Sequence, residues 1–145
     1  MAHEITTKVL LVDDEDKFLD VLSQRLEKHD VKADTAASGE DALAKIKDTA
    51  YDAVVLDLMM PGIGGIETLR RIRKENPELQ VIMLSGRGTI EKAVESVKEG
   101  AMDFLEKPAE IDTLLAKIEE ARHKKILFIV EHAEERIGRI WGRKA

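Results

Sequence analysis

The sequence predicts an α/β protein with a doubly wound, five-stranded parallel sheet flanked by five helices. Short apolar runs alternate with amphipathic, helix-forming segments along residues 8–121. Most of these runs are apolar throughout, which is typical of strands buried on both faces of a parallel sheet. Because right-handed crossovers leave few arrangements for such a chain, we expect helices on both faces.

Five runs are the predicted strands, and each is followed by a polar residue or a turn. They are residues 9–12, 31–36, 53–56, 81–84 and 103–105. The run at 31–36 is more polar than the others, and the run at 103–105 is brief. Their short length and apolar, β-branched composition favour strands over helices.

A helical spacing of apolar residues follows each predicted strand. The apolar positions are Phe18, Val21, Leu22 and Leu26; Ala42, Leu43 and Ile46; Ile66, Leu69 and Ile72; Ile90, Ala93, Val94 and Val97; and Ile111, Leu114, Leu115 and Ile118. Ser38 and Asp41 resemble a capping box at the start of the second helix. Asn76-Pro77 and Gly100 are the expected ends of the third and fourth helices.

Composition restricts the class of protein. With 145 residues, 43% hydrophobic and 36% charged, the chain has the size of one domain with a substantial core. We expect no second catalytic domain. The absence of cysteine excludes disulfides and cysteine zinc sites. A signal peptide and a membrane-length apolar run are both missing, so we expect a cytoplasmic protein.

Charge divides the chain into a large acidic part and a short basic one. The formal net charge is −6, but residues 122–145 contain seven Lys or Arg residues and three Glu residues. The acidic remainder argues against non-specific nucleic-acid binding, and we expect no direct contact with nucleic acid. We therefore predict an N-terminal tail at 1–7, a domain at 8–121 and a basic amphipathic extension at 122–145.

Polar side chains follow the carboxyl ends of four predicted strands. Asp13 and Asp14 follow the first strand, Asp57 the third, Ser85 the fourth and Lys107 the fifth. Ligands bind beyond these ends in a doubly wound sheet. Three carboxylates at one edge repel each other unless they share a cation, and an oxygen-only set suits Mg²⁺. One carboxylate could then accept a phosphoryl group as an acyl phosphate.

These motifs resemble the receiver domain of bacterial two-component response regulators, of the chemotaxis-receiver type. The resemblance runs from about residue 8 to residue 121. It rests on the order and spacing of VLLVDDE, DLMMPG, the Ser-Gly that ends the fourth strand, and DFLEKP. It implies a flavodoxin-like sheet with strand order 2-1-3-4-5 and a cis peptide bond between Lys107 and Pro108.

The resemblance also implies how a metal is held at the strand ends. Asp57 is the expected phosphoacceptor and one ligand of Mg²⁺. Asp14 is expected to bind the ion directly, and Asp13 to bind it through water. The backbone carbonyl of Met59 completes the implied set of protein ligands. Capping of the first helix by the acidic pair is the simpler alternative.

Further residues are implied in phosphoryl binding and in switching. Ser85 and Lys107 are expected to contact the phosphoryl group, and the rotamer of Phe104 to change with phosphorylation. Met59 and Arg87 occupy positions that flank the path of the attacking water in the family. We expect the bulky Met59 to slow hydrolysis, while the direction of any Arg87 effect does not follow from the sequence.

The function implied is that of a stand-alone response regulator. It would take its phosphoryl group from the phosphohistidine of a sensor histidine kinase or a phosphotransfer protein, and then contact a downstream protein. Such a protein is a signalling switch that catalyses only its own phosphorylation and dephosphorylation. The alternatives are a receiver-like interaction module that is never phosphorylated, a small Mg²⁺-dependent phosphohydrolase, or a piece of an ATPase-linked regulator.

The segment after Ala121 is open to two interpretations. As a helix, it would carry one apolar stripe made of Ile126, Ile129, Val130, Ala133, Ile137, Ile140 and Trp141. As a strand, KKILFIVEH would repeat the pattern of TKVLLVDDE. We favour the helix, and we expect its apolar stripe to pack against the body or a second copy, giving a homodimer. Glutamates within the segment argue against membrane binding.

Overall fold

The computed structural model describes residues 6–142, and within them strands and helices alternate strictly. The strands are β1 (Thr7–Val12), β2 (Val31–Ala36), β3 (Ala53–Leu56), β4 (Val81–Ser85) and β5 (Asp103–Glu106). The helices are α1 (Asp16–Glu27), α2 (Gly39–Asp48), α3 (Gly64–Glu75), α4 (Ile90–Lys98) and α5 (Ile111–Gly142). Residues 1–5 of the predicted tail lie outside this range.

All five strands form one parallel sheet of order β2-β1-β3-β4-β5. This confirms the fold class, the alternation and the strand order. β1 begins two residues before its apolar run because Thr7 and Lys8 pair with Val31 and Lys32 of β2. Ladder pairing therefore extends the strand beyond the apolar signal.

Two apolar cores, one on each face, explain why the central strands are apolar throughout. Leu10 and Val54 belong to a cluster with residues of α2 and α3. Val9 and Val55 alternate with them and belong to a second cluster with residues of α1 and α5. Since successive side chains of a strand point to opposite faces, both sets must be apolar.

The buried face of α1 agrees with the predicted one at Phe18, Leu22 and Leu26 and differs at Val21. Leu19, Leu22 and Leu26 are buried, whereas Val21 is 57% exposed. Phe18 is partly buried at the edge of the same cluster. The stripe of Leu19, Leu22 and Leu26 fits the helical period as well as the predicted one, and packing selects it.

The apolar residues whose spacing predicts α4 face solvent. Ile90 is 86% exposed, and Val94 and Val97 are about half exposed. Ser96 is fully buried in their place, and its hydroxyl donates a hydrogen bond to the Lys92 carbonyl over 2.9 Å. Because Ser96 is small and its hydroxyl is hydrogen-bonded within its own helix, α4 can pack closely against the body of the protein. The larger apolar side chains of α4 lie on its solvent-exposed face.

Residues 111–142 form one continuous helix, so the helical interpretation of the segment after Ala121 is confirmed and the strand alternative is wrong. Ala121 is buried mid-helix and marks no structural break. Beyond it, the Lys125 ammonium donates to the Tyr51 carbonyl over 2.5 Å. Further along, Val130 and Ile137 are about half exposed. With 32 residues, α5 is about 48 Å long.

Within residues 6–142, none of the helices combines the length and the hydropathy that a membrane crossing requires.

Candidate functional site

The register of the sheet brings the predicted residues to one edge. Val12 of β1 and Leu56 of β3 are partners in the ladder, so Asp13 and Asp57 follow on neighbouring strands. Backbone hydrogen bonds continue past the strand ends: the Asp57 N–H donates to the Val12 carbonyl over 2.9 Å, and the Lys107 N–H to the Ser85 carbonyl over 3.0 Å. The strand order reverses between β1 and β3, which is where doubly wound folds bind ligands.

Three carboxylates converge at this edge. One oxygen from each of Asp13, Asp14 and Asp57 lies within 4.8 Å of the other two. Asp13 and Asp57 are buried, and Asp14 is exposed. Oxygens that share one Mg²⁺ at about 2.1 Å lie about 3 to 4 Å apart, so small side-chain movements suffice to close the set. The donor atoms therefore fit a hard divalent cation.

Asp13 combines two interactions, one with each carboxylate oxygen. Its Oδ2 accepts a hydrogen bond from the Lys107 ammonium at 2.5 Å, and its Oδ1 accepts the Glu15 backbone N–H at 2.9 Å. Glu15 itself precedes α1 without a side-chain cap. This bond to Glu15 is a turn just before α1, whose N-cap is Glu15 and not Asp13 or Asp14. The other oxygen of Asp13 binds the Lys107 ammonium.

Burial raises the pKa of Asp57, and the nearby charge of Asp13 raises it further. The Lys107 charge, the Ser85 hydroxyl and the Met59 backbone N–H act in the opposite direction. A cation bound among the carboxylates would also favour the ionised form. The ionised form is the one that a nucleophile requires.

Ser85 and Phe104 lie along the strands beside Asp57. Ser85 is fully buried at the end of β4, where its hydroxyl accepts the Arg87 backbone N–H at 3.3 Å. Phe104, in β5, is partly buried against the core. An added Cβ at Gly88 would lie 2.2 Å from the ring's Cζ. The ring therefore occupies space that only a glycine at position 88 leaves free.

The loop after Asp57 keeps α3 close to the strand end. A Cβ at Gly65 would lie 2.4 Å from the Asp57 carbonyl oxygen, so glycine is needed for this approach. Gly62 and Gly64 have φ values of 82° and 75°, in the region that favours glycine. Met59 lies in this loop with 47% of its surface exposed.

The Lys107–Pro108 peptide bond is cis, as the resemblance implies. It lies between β5 and α5, immediately after the lysine that reaches Asp13.

Two residues of this edge had not been predicted. The Glu15 carboxylate lies 3.6 Å from the Lys107 ammonium, and the ring centre of Phe18 lies 4.0 Å from it. Phe18 had been assigned to the apolar face of the first helix, and its sequence position gives no sign of an interaction with a residue 89 positions away. The acidic run at 13–16 offered a weak signal for Glu15.

The chain is similar to known proteins in sequence and in structure. The profile of the response regulator receiver domain matches residues 9–119. The transcriptional regulatory protein TcrA of Mycobacterium tuberculosis is 38% identical over 111 residues, covering 77% of this chain and 44% of TcrA. The nitrogen assimilation regulatory protein NtrX of Azorhizobium caulinodans is 40% identical over 123 residues, covering 83% of this chain and 26% of NtrX.

Among solved structures, a response regulator receiver domain protein from Clostridium thermocellum is similar with a TM-score of 0.80 and 33% identity. The match covers 84% of this chain and 98% of that protein. The fold and the family match define an α/β signalling switch. The chain belongs to the response regulator receiver family of two-component signalling. Receiver domains generally bind Mg²⁺ at an acidic pocket and act as signalling switches.

The chain spans half or less of the length of the curated relatives given above. Both relatives are named as regulatory proteins, and the parts of them that lie beyond the match have no counterpart in the alignment.

Proposed function

We propose that this receiver is a phosphorylation-dependent switch in which Asp57 accepts the phosphoryl group. One observation carries the proposal: three carboxylates share an edge of the sheet with a buried hydroxyl and an ammonium. Asp57 follows β3 at the point where strand order reverses. From this position Asp57 can attack a phosphoryl group while the three carboxylates hold a cation among them.

The chemistry consists of one substitution at phosphorus. A carboxylate oxygen of Asp57 forms the new O–P bond, and the P–N bond of a phosphohistidine breaks. The electron pair of that bond stays with the departing imidazole. Lys107 and the Ser85 hydroxyl would stabilise the charge on the phosphoryl oxygens, since such transfers depend on positioning and neutralised charge.

Mg²⁺ is the proposed cofactor. Asp14 and Asp57 would bind the ion directly together with the backbone carbonyl of Met59, while Asp13 would act through water. When bound, the ion neutralises charge on the transferred group. The Lys107 ammonium lies 2.5 Å from Asp13 Oδ2, so one positive charge lies beside the carboxylates.

Intact mass spectrometry tests the reaction. After incubation with Mg²⁺ and acetyl phosphate, we expect the mass to increase by one phosphoryl group. We expect no increase with Asp57→Asn, and an unchanged increase with the control Asp48→Asn, an exposed acid at the end of α2. The wild type remaining unmodified would favour the unphosphorylated interaction module, and release of free phosphate without a stable adduct would favour the phosphohydrolase.

The proposed partners are a sensor histidine kinase or a phosphotransfer protein, and a downstream protein. The exposed stripe of Ile90, Val94 and Val97 on α4 supports a protein contact on this side of the molecule, next to the Phe104 strand. Exposed apolar patches of this kind are typical of interaction sites. We expect this signalling to take place in the cytoplasm.

The extension of α5 is the proposed homodimer contact. Ile126, Val130, Ala133 and Ile137 recur at alternating spacings of four and three residues, which is the pattern of a coiled-coil seam. Ile126, Val130 and Ile137 are about half exposed. Sedimentation of the full chain should show dimers, and Ile126→Glu with Val130→Glu should give monomers. A wild type that sediments as a monomer would reject the contact.

Two further expectations remain predictions. The stand-alone form stays a prediction because the chain spans less than two thirds of its curated relatives. The absence of direct nucleic-acid contact also stays a prediction, since these relatives include a transcriptional regulatory protein.

A further inference from the structure

The Lys107 ammonium lies against an aromatic ring that has no part in the proposed phosphorylation reaction. Its nitrogen lies 4.0 Å from the centre of the Phe18 ring, well within the range of a cation–π interaction. The lysine side chain is only 14% exposed. Partial exclusion of water strengthens such an attraction.

Phe18 is held in place by packing, whereas a lysine side chain is flexible. The ring contacts the core on the side of α1 and α5. It lines a small cavity of about 80 Å³ with Leu84, Pro108 and Leu114. The lysine side chain has a flexible stem of four methylene groups. The packed Phe18 ring beside its ammonium restricts the positions that the ammonium can reach.

Neighbouring side chains surround the Lys107 ammonium on several sides. Asp13 binds it at 2.5 Å and is itself buried, while Glu15 lies 3.6 Å away and is mostly exposed. The Phe18 ring covers a further side of the nitrogen. Without the ring, the lysine could turn away from the carboxylates toward solvent.

We propose that Phe18 is a positioning residue for the phosphorylation of Asp57, acting through a cation–π contact that keeps the Lys107 ammonium at the acidic edge. The inference rests on the proposed function. It assigns Phe18 a role beyond core packing, in which the ring acts through Lys107. The electron density of the ring face, and not only its volume, therefore determines the effect.

Ring fluorination tests this role. Replacing Phe18 by phenylalanines with one, two and three fluorines withdraws electron density from the ring face with little change in size. We expect the rate of phosphorylation by acetyl phosphate, at fixed Mg²⁺, to fall with each fluorine. Phe18→Leu should be slower than the wild type by about threefold to tenfold, and Phe18→Trp should retain the rate.

The same fluorinated residues at Phe128 are the matched control, because that ring stacks on His132 in α5 far along the chain from Lys107. A rate that is constant across the series at position 18, or that falls equally at position 128, would overturn the inference. A complete lack of phosphorylation in every protein, the wild type included, would instead reject the proposed function and the inference with it.

A second measurement does not depend on phosphorylation. In the unmodified protein, the ring current of Phe18 should shift the ε-methylene protons of Lys107 upfield in the NMR spectrum. The shift should disappear in Phe18→Leu. Identical lysine signals in the two proteins would overturn the contact.

Discussion

Asp13 and Asp57 lie on neighbouring strands, but their surroundings assign them different chemistry. Asp13 uses both oxygens, one for the Lys107 ammonium and one for a backbone N–H. Asp57 is buried beside this charge without an ammonium in hydrogen-bond contact, and burial raises its pKa. The carboxylate without a lysine partner is the better candidate for a nucleophile, and Asp13 is the better candidate for holding the Lys107 ammonium in place.

Met59 is expected to set the lifetime of the phosphoryl group. Its side chain is apolar and 47% exposed, two residues after Asp57, where it would hinder an approaching water molecule. Met59→Asn should therefore speed the decay of the acyl phosphate. The measurement is loss of the phosphoryl mass over time after removal of the donor. Equal rates, or slower decay in the variant, would contradict this role.

Tyr51 should make stability depend on pH in the alkaline range. Burial, with help from the hydrogen bond to Asp34 at 2.7 Å, raises its pKa from 10.0 to about 12. The unfolded chain therefore loses this proton first. The contribution to stability is complete below about pH 10 and is lost as the pH rises toward 12.

An absorbance titration of the phenolate measures this directly, because the chain contains a single tyrosine. We expect a midpoint near 12 in the folded protein. Tyr51→Phe should remove the contribution of the tyrosine to this pH dependence and lower the free energy of unfolding by about 1 kcal/mol through loss of the hydrogen bond. A midpoint near 10 would contradict the proposed surroundings.

At the scale of elements, α4 and the loop before it differ from an ordinary covering helix. The apolar stripe of α4 faces solvent and Ser96 faces inward. The preceding loop has glycine where the Phe104 ring needs space. Because few large apolar side chains of this loop and helix are buried, both can move at a low cost in free energy. Such mobility is useful in a switch.

Gly88→Ala should disturb this arrangement. The new Cβ would lie 2.2 Å from the Phe104 ring, so the ring or the loop must move, and we expect unfolding to become easier by about 1 to 3 kcal/mol. Gly86→Ala is the control, since its nearest neighbour would be Lys107 Cβ at 3.8 Å. Denaturant unfolding of both variants measures the difference.

The cost of Gly88→Ala should shrink in a Phe104→Leu background, because the ring that causes the clash is absent. Additive effects of the two substitutions would show that the ring does not fill this space.

At the scale of the whole molecule, the edge that holds Asp57 and the extension of α5 lie at opposite ends of the sheet. The helix begins after Pro108, next to the acidic edge, and passes Tyr51, which precedes β3. One continuous helix therefore connects the two ends.

Much of this architecture could be predicted from local sequence. Apolar runs such as 53–56 predict buried strands because both faces of the sheet are covered, and polar residues after such runs predict the acidic edge. The face that a helix buries was harder to predict. Val21 and Leu19 fit the helical period equally well, and tertiary packing chose between them. The inward position of Ser96 could not be read from a pattern in which apolar residues are assumed to be inside.

The contact between Phe18 and Lys107 illustrates the limit at the candidate site. The sequence explains each residue separately: Phe18 as part of the apolar face of α1, and Lys107 as an expected contact of the phosphoryl group. Only the tertiary packing of α1 beside the loop between β5 and α5 brings them to 4.0 Å. Contacts between distant segments depend on such crossings, which the period of a single element does not encode.

The central claim is that Asp57, and no other carboxylate of the cluster, becomes phosphorylated. Borohydride reduction converts an aspartyl phosphate into homoserine, so peptide mapping of the reduced, phosphorylated protein identifies the modified position. We expect homoserine at position 57 and unmodified aspartate at positions 13 and 14. Homoserine at position 13 or 14, or a reduction-resistant phosphate on Ser85, would contradict the account.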